Sequence, residues 1–126
     1  MIKHLFTSVL ALMLIMLTTT ATEALAADNV TIHADHLIFH PQGEANGKHI
    51  VLIAGDEEYR SEEAMPMMAE VLARHGFKCT VLFSLADDGK TVDPNKQTSL
   101  SHPQALESAD MVFLHIRFRN WPDEAM

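Results

Sequence analysis

The side chains of this sequence that can do chemistry stand in two short segments, each directly after an apolar run. The first follows Ile50–Ala54 and Gly55 and consists of Asp56, Glu57, Glu58, Tyr59 and Arg60. The second contains Arg117 and Arg119 and follows Met111–Ile116. A carboxylate can accept hydrogen bonds from sugar hydroxyls, hold a cation or act as a general base. A guanidinium group offers paired donors to an anion or to a hydroxyl-rich ligand.

The elements that must position these segments alternate between strand and helix. Continuous apolar or β-branched runs predict strands at His49–Ala54, Phe77–Phe83 and Met111–Ile116. A helix is predicted over Glu62–His75, and a short helix from Pro103 to Ser108. Strand, helix and strand in close succession form a βαβ unit, so we expect a parallel α/β sheet. The long polar loop Ser84–Ser101 is of the length often found at functional sites.

The predicted helix has recognisable ends and one apolar face. Pro66 is expected in its first turn, where a missing N–H does no harm. Gly76 is expected as its left-handed C-terminal cap. The face predicted to pack on the sheet consists of Ala64, Met68, Val71, Leu72 and His75.

Residues 1–26 have the pattern of a signal peptide. A short basic start precedes an apolar run and the cleavage pattern Ala24-Leu25-Ala26. The run is shorter than the roughly 20 apolar residues of a membrane helix, so we expect export to the periplasm or medium without a stable membrane anchor. Residues 27–47 are predicted to be an N-terminal extension in which Leu37-Ile38-Phe39 forms a short edge strand.

The net charge and the cysteine content limit the binding partners and the cysteine chemistry that we expect of this chain. The net charge of −8 argues against nucleic acid as a partner. Cys79 is the only cysteine, so no internal disulfide can form, and its strand position predicts a buried core residue rather than a nucleophile.

The histidines were weighed as metal ligands. His33, His36 and His40 would align on one helix face, but that region lacks a helical pattern and Pro41 ends it, so we expect solvated histidines and no metal. His115 is interpreted as a structural histidine, and Trp121 as a packing residue. No cofactor is expected.

Longer stretches of the sequence resemble a known family. KHIVLIAGDEEYRSEEAMPMMAEVLARHGFKCTVLF, a loop containing Asp93-Pro94-Asn95, and ADMVFLHIRFRNWPDE resemble the N-terminal part of a ThuA-like (trehalose-utilisation-type) domain. That family belongs to the class I glutamine amidotransferase-like superfamily. The resemblance covers residues 48–126 and is most specific at Gly55–Arg60 and Arg117–Arg119.

The resemblance implies a fold and a field of activity. It implies a flavodoxin-like three-layer parallel sheet with strand order 2-1-3, incomplete at the C-terminus, in an exported protein linked to carbohydrate metabolism. Relatives in the superfamily carry a cysteine nucleophile after a later strand, beyond Met126. Because one full helix leaves a sheet face bare, we expect residues 48–126 to be the front part of a larger domain.

In that strand order the two charged segments emerge side by side at the carboxyl ends of the strands, where α/β sheets bind ligands. The predicted ligand-binding residues are Asp56, Glu57, Glu58, Tyr59, Arg60, Arg117 and Arg119. The alternative is that these charges pair with one another and shape the loop. Two functions stay open: an enzyme acting on a carbohydrate or related small molecule, and a non-catalytic sugar- or anion-binding module on the same fold.

Overall fold

A computed structural model describes residues 29–123 of the chain. Its five-stranded sheet has the order β1-β2-β4-β3-β5. The strands are β1 (Val30–Ile32), β2 (His36–Phe39), β3 (His49–Gly55), β4 (Lys78–Leu82) and β5 (Met111–Ile116). One α-helix, α1 (Ser61–Arg74), joins β3 to β4, and a 3-10 helix spans Pro103–Ser108. The predicted signal peptide, residues 1–26, lies outside the described residues.

The βαβ unit predicted from the sequence is present. β3 is parallel to β4 on one side and to β5 on the other, so β3 lies at the centre of the parallel strands. All seven residues of β3 are buried. A continuous apolar run such as this forms a strand covered on both faces. The edge of the sheet at which β3, β4 and β5 end is called the carboxyl edge below.

The prediction of a purely parallel sheet is wrong, because the sheet is mixed. β1 and β2 are antiparallel to each other, and β2 is antiparallel to β4. A tight turn joins β1 to β2, a connection that antiparallel strands allow and parallel strands do not. These strands belong to the predicted extension 27–47, and β2 is an inner strand rather than the predicted edge strand.

Two apolar clusters cover the two faces of the sheet over β3 and β4. On one face Leu52 and Val81 pack with Met65 and Ala69 of α1. On the other face Val51, Ile53 and Leu82 pack with Ala105 of the 3-10 helix. Trp121 contacts this second cluster, as predicted, and its indole N–H donates to the Ser99 carbonyl at 3.1 Å.

Helix α1 presents to the sheet a face that only partly matches the predicted one: Ala64 and Leu72 pack against the first cluster, and the other predicted residues do not. Its buried residues are Ser61, Met65, Ala69 and Ala73, whereas Met68 and Val71 are exposed. Because the alanine side chain is small, a helix can pack closely on a sheet through its alanines. A search of the sequence for large apolar residues does not detect such a face. The helix begins at Ser61, so Pro66 lies in its second turn rather than its first.

No helix within residues 29–123 combines the length and the apolar character needed to cross a membrane.

Candidate functional site

The two charged segments meet at the carboxyl edge, as the sequence predicts. β3 and β5 are paired up to Gly55 and Ile116, and the Arg117 N–H donates to the Gly55 carbonyl at 3.1 Å. The loop that follows β3 therefore lies against the residues that follow β5. The individual side chains in these segments then have quite different roles.

Asp56 organises the loop after β3 and is not free to bind a ligand. It is 5% exposed, and its Oδ1 accepts from the backbone N–H groups of Glu58 at 2.8 Å and Tyr59 at 3.0 Å. The Asp56 N–H donates to Ser61 Oγ at 2.8 Å, and that hydroxyl returns a bond to the Asp56 carbonyl. An aspartate that bonds backbone groups two and three residues ahead stabilises a turn.

The buried side chain of Arg119 links three loops, those that follow β3, β4 and β5. Its side chain is 3% exposed and forms an ion pair with Glu57 at 3.2 Å. The guanidinium group also donates to the side chain of Ser84 and to three backbone carbonyls, those of Pro94, Lys96 and Arg117. Every direction of this fork is occupied by protein, so Arg119 has a structural role, and ligand binding by Glu57 stays a prediction.

Gly55 leaves space where Arg119 passes the sheet. A Cβ on Gly55 would lie 3.2 Å from Arg119 Cδ and 3.3 Å from Ile116 Cγ2. Contacts this short force the neighbouring side chains to shift. The glycine that ends the apolar run therefore leaves room for the buried arginine to cross from β5 to the other loops.

Arg117, by contrast, lies on the surface. Its guanidinium group pairs with Glu58, with 38% of the Arg117 side chain and 53% of the Glu58 side chain exposed. The same group lies over the ring of Phe118, 4.6 Å from its centroid. Phe118 is 64% exposed and has φ 51°, and Tyr59, next to Glu58 in the chain, is 66% exposed. These four residues, Glu58, Tyr59, Arg117 and Phe118, form what we call the Arg117 surface.

Arg60 belongs to the start of the helix rather than to the Arg117 surface. It occupies the N-cap position with φ 51°, and its carbonyl accepts from the N–H groups of Glu63 and Ala64. Its guanidinium group pairs with Glu63 in the first turn. The structure does not bring Arg60 into contact with Arg117 or Arg119 through any described hydrogen bond or ion pair.

The long loop after β4 is ordered by its own hydrogen bonds. Asp88 accepts from the hydroxyl and backbone N–H of Thr91 and from the Lys90 N–H, which lowers the pKa of Asp88 to about 2. Ser99 and Ser101 bond the backbone just beyond β4. Together with the bonds from Arg119 to Pro94 and Lys96, these contacts fix the loop beside the carboxyl edge.

Cys79 is a core residue, as predicted from its position in a strand. Its side chain is fully buried in β4. Burial raises the pKa of the thiol to about 11. A thiol that resists ionisation is a poor nucleophile.

A second group of chemical side chains meets at the start of β2, where the sequence predicted no site. The imidazole of His36 lies between those of His33 and His102, with ring centroids 4.2 and 4.0 Å away and planes within 9° of parallel. Asp35 Oδ1 is 2.7 Å from His36 Nδ1. Asp35, His33, His36 and His102 are called the histidine cluster.

The electrostatics of the histidine cluster favour an ionised aspartate beside a neutral His102. Burial tends to raise the pKa of Asp35, but the hydrogen bond and the charge of His36 outweigh it and lower that pKa overall. Burial lowers the pKa of His102, and the neighbouring His36 lowers it further.

Sequence reasoning missed this cluster for two reasons. The region is not helical, as expected, but His33, His36 and His40 lie on a hairpin, with His40 Nε2 2.8 Å from Thr31 Oγ1, and His36 is buried rather than solvated as predicted. His102 arrives from a loop far along the chain, and no local spacing relates it to His36. His36 directly precedes the apolar residues of β2, and this position at the start of a strand was the one signal that it could be buried.

Comparison of the chain with protein-family models, with curated proteins and with solved structures found no match in any of the three.

Proposed function

We propose that this chain is an exported ThuA-like domain protein linked to carbohydrate metabolism, and that its Arg117 surface binds the carbohydrate. The resemblance over residues 48–126 supports the family. The parallel strands β4, β3 and β5 support a flavodoxin-like three-layer arrangement for the family domain. The signal-peptide pattern in residues 1–26 supports export.

The observation that carries the proposal is the combination of an exposed ion pair with exposed aromatic rings. Glu58 and Arg117 present an acceptor and a fork of donors side by side, which suits adjacent hydroxyls of a sugar ring. Phe118, whose ring is covered on one face by Arg117, and Tyr59 add exposed aromatic rings. The C–H groups of a sugar ring carry partial positive charge and pack favourably on the negative face of an aromatic ring.

A neutral sugar fits this surface better than an anion. Both arginines that were predicted to clamp an anion are already paired with carboxylates, Arg117 with Glu58 and Arg119 with Glu57. An anionic ligand would have to displace Glu58 and lie close to its charge. A neutral, hydroxyl-rich ligand can use the acceptor and the donors together.

Binding is the activity that the Arg117 surface supports. Asp56 and Glu57 are occupied by structural hydrogen bonds, and Glu58 is held by a guanidinium group. A general base needs a carboxylate that can receive a proton from the substrate. The enzyme hypothesis therefore depends on groups other than these carboxylates, and we propose no reaction for this surface.

Isothermal titration of the whole chain with neutral mono- and disaccharides, and with a uronic acid, tests the proposal. We expect binding of a neutral sugar that Phe118→Gly and Arg117→Ala each weaken by at least about tenfold, or roughly 1.4 kcal/mol. Glycine suits the positive φ of residue 118, so loss of the ring is separated from backbone strain.

Arg74→Ala is the matched control, because Arg74 also forms an exposed ion pair, with Glu70 on the helix. It should leave sugar affinity unchanged. Preference for the uronic acid would support the anion-binding module instead. Equal affinities for wild type and for both surface variants would refute binding at this surface.

A further inference from the structure

The histidine cluster brings together the donor atoms that transition metals prefer. One ligand atom from each of Asp35, His36 and His102 lies within 4.8 Å of the other two. Two imidazoles and a carboxylate form a donor set suited to Zn²⁺ and to neighbouring first-row divalent ions. The three residues come from the β1–β2 turn, strand β2 and the loop before the 3-10 helix.

Their anchoring differs, which matters for how a metal could be held. His36 is 7% exposed and is fixed in β2, where its backbone is paired with Leu82. Asp35 lies in the adjoining turn. His102 has φ 42°, a left-handed conformation that is uncommon for a residue with a side chain.

A cavity adjoins the cluster. Its volume is about 320 Å³, and its lining includes His33, Asp35, His36 and Glu62. Glu62 Oε2 is buried and has no hydrogen-bond partner among the described residues. A buried polar atom without a partner costs free energy. That oxygen is closed off from the cavity, so a ligand in the cavity does not reach it without a movement of the Glu62 side chain.

We propose that Asp35, His36 and His102 bind one divalent transition-metal ion, Zn²⁺ in the first place, with a further coordination position open to the cavity. Three protein ligands and one open position are the arrangement of zinc sites that take a water or substrate. This site is separate from the Arg117 surface. β2 and β5 are three strand spacings apart in the sheet, about 14 Å.

Binding requires a defined rearrangement of the cluster. Tetrahedral ligands at zinc–nitrogen distances of about 2.0–2.1 Å lie about 3.4 Å from one another. The donor atoms of the cluster lie between 2.7 Å and 4.8 Å apart, so they must rearrange to meet this spacing. An imidazole binds a metal in the plane of its ring, and the parallel rings of His36 and His102 cannot both point at one ion. The His102 ring must therefore turn out of the stack, because His36 is held by the sheet.

The test is titration of untagged, metal-free whole chain with ZnCl₂ by calorimetry, with Co²⁺ absorption as a report on coordination. We expect one ion per chain, tetrahedral or five-coordinate Co²⁺ bands, and changed ring proton shifts of His36 and His102 in NMR spectra. Asp35→Asn and His102→Gln should each weaken binding at least about tenfold, the lower end of losses seen when a metal site is disturbed.

His75→Gln is the control, since His75 is an exposed histidine at the far end of α1. It should bind Zn²⁺ like the wild type. Both ligand variants are tested for folding by circular dichroism. The proposal is overturned if the wild type binds no stoichiometric ion, or if folded Asp35→Asn and His102→Gln retain wild-type affinity. Loss of binding in His75→Gln alone would also overturn it.

Discussion

The Arg119 side chain is 3% exposed, whereas that of Arg117, two residues earlier, is 38% exposed. Arg119→Ala would leave Glu57, Ser84 and two loop carbonyls without their donor. We expect it to lower the free energy of unfolding by about 3–5 kcal/mol, as for other broken buried pairs. Urea denaturation of the purified variant measures this loss.

Arg117→Ala provides the comparison, because it removes an ion pair of the same residue types from the surface. Exposed pairs contribute about 0–1 kcal/mol, so its unfolding midpoint should stay close to that of the wild type. Similar losses of unfolding free energy in Arg119→Ala and Arg117→Ala would show that burial does not distinguish the role of Arg119 from that of Arg117.

His49 is a buried histidine whose neutral form the fold favours. Its Nε2 lies 2.8 Å from Thr80 Oγ1 and its Nδ1 lies near Ser108. Burial lowers its pKa from the ordinary value of 6.5, and the charge of Lys78 adds to the effect. The unfolded chain therefore binds a proton at this residue more readily than the folded chain, so stability falls as pH drops through 6.5.

The corresponding prediction is that His49→Gln flattens the pH dependence of stability below pH 6.5. Glutamine offers hydrogen-bonding groups but takes up no proton. Thermal melts of wild type and variant across this range measure the difference in slope. His75→Gln, an exposed histidine variant, should keep the wild-type slope. A slope unchanged in His49→Gln would mean that His49 does not contribute to the pH dependence.

At the scale of elements, the sequence predicted the parallel strands and the crossover helix closely. β3, α1, β4 and β5 each begin and end within one or two residues of the predicted bounds. Their apolar runs and the cap at Gly76 depend on residues that are neighbours in the chain, so the sequence alone indicates these elements. Of the hairpin β1–β2, a short strand at Leu37-Ile38-Phe39 was predicted as an edge strand, whereas β1 was missed because it is short and only partly apolar. The rotation of α1 was missed because its outer face also carries methionine and valine.

Gly76 ends α1 and allows the loop before β3 to approach. It has φ 84°, and a Cβ there would lie 2.5 Å from the Glu44 carbonyl oxygen. Gly76→Ala combines left-handed strain, roughly 1–2 kcal/mol, with a clash against backbone. We expect a loss of unfolding free energy larger than strain alone, measured by urea denaturation.

Gly43→Ala separates the two effects. Gly43 has φ 75°, and a Cβ there meets nothing within 4 Å. The loss of unfolding free energy in Gly43→Ala should come from backbone strain alone. The difference in this loss between Gly76→Ala and Gly43→Ala therefore measures the cost of the contact with Glu44. Equal losses would show that the loop moves away from the new methyl group without cost.

At the scale of the whole molecule, the candidate site was predictable where it depends on strand order. Parallel strands end at one edge, so Asp56–Arg60 and Arg117–Arg119 were expected to meet, and they do. Which charges face solvent was not predictable, because it depends on how the loop after β4 folds over Arg119. The histidine cluster depends on a contact between His36 and His102, and no residue pattern in either segment indicates it.

The outer edge of the sheet carries the largest exposed apolar strand among the described residues. Four successive residues of β5, Met111, Val112, Phe113 and Leu114, are 40–57% exposed. Among residues 29–123, β5 pairs only with β3, so its outer backbone edge has no described partner. An exposed apolar edge strand is a template for pairing with another strand.

We therefore predict that the 126-residue chain self-associates through β5. Sedimentation at increasing concentration should show species larger than the monomer, and Leu114→Lys should shift them towards the monomer, since an edge lysine opposes strand pairing. Val71→Lys is the control: Val71 is 50% exposed on the outer face of α1, and the change in net charge is the same. If Val71→Lys disperses the assemblies and Leu114→Lys does not, the contact is the outer face of α1. If both variants act equally, the reduction in apolar surface or the altered charge explains the result, and β5 has no specific role.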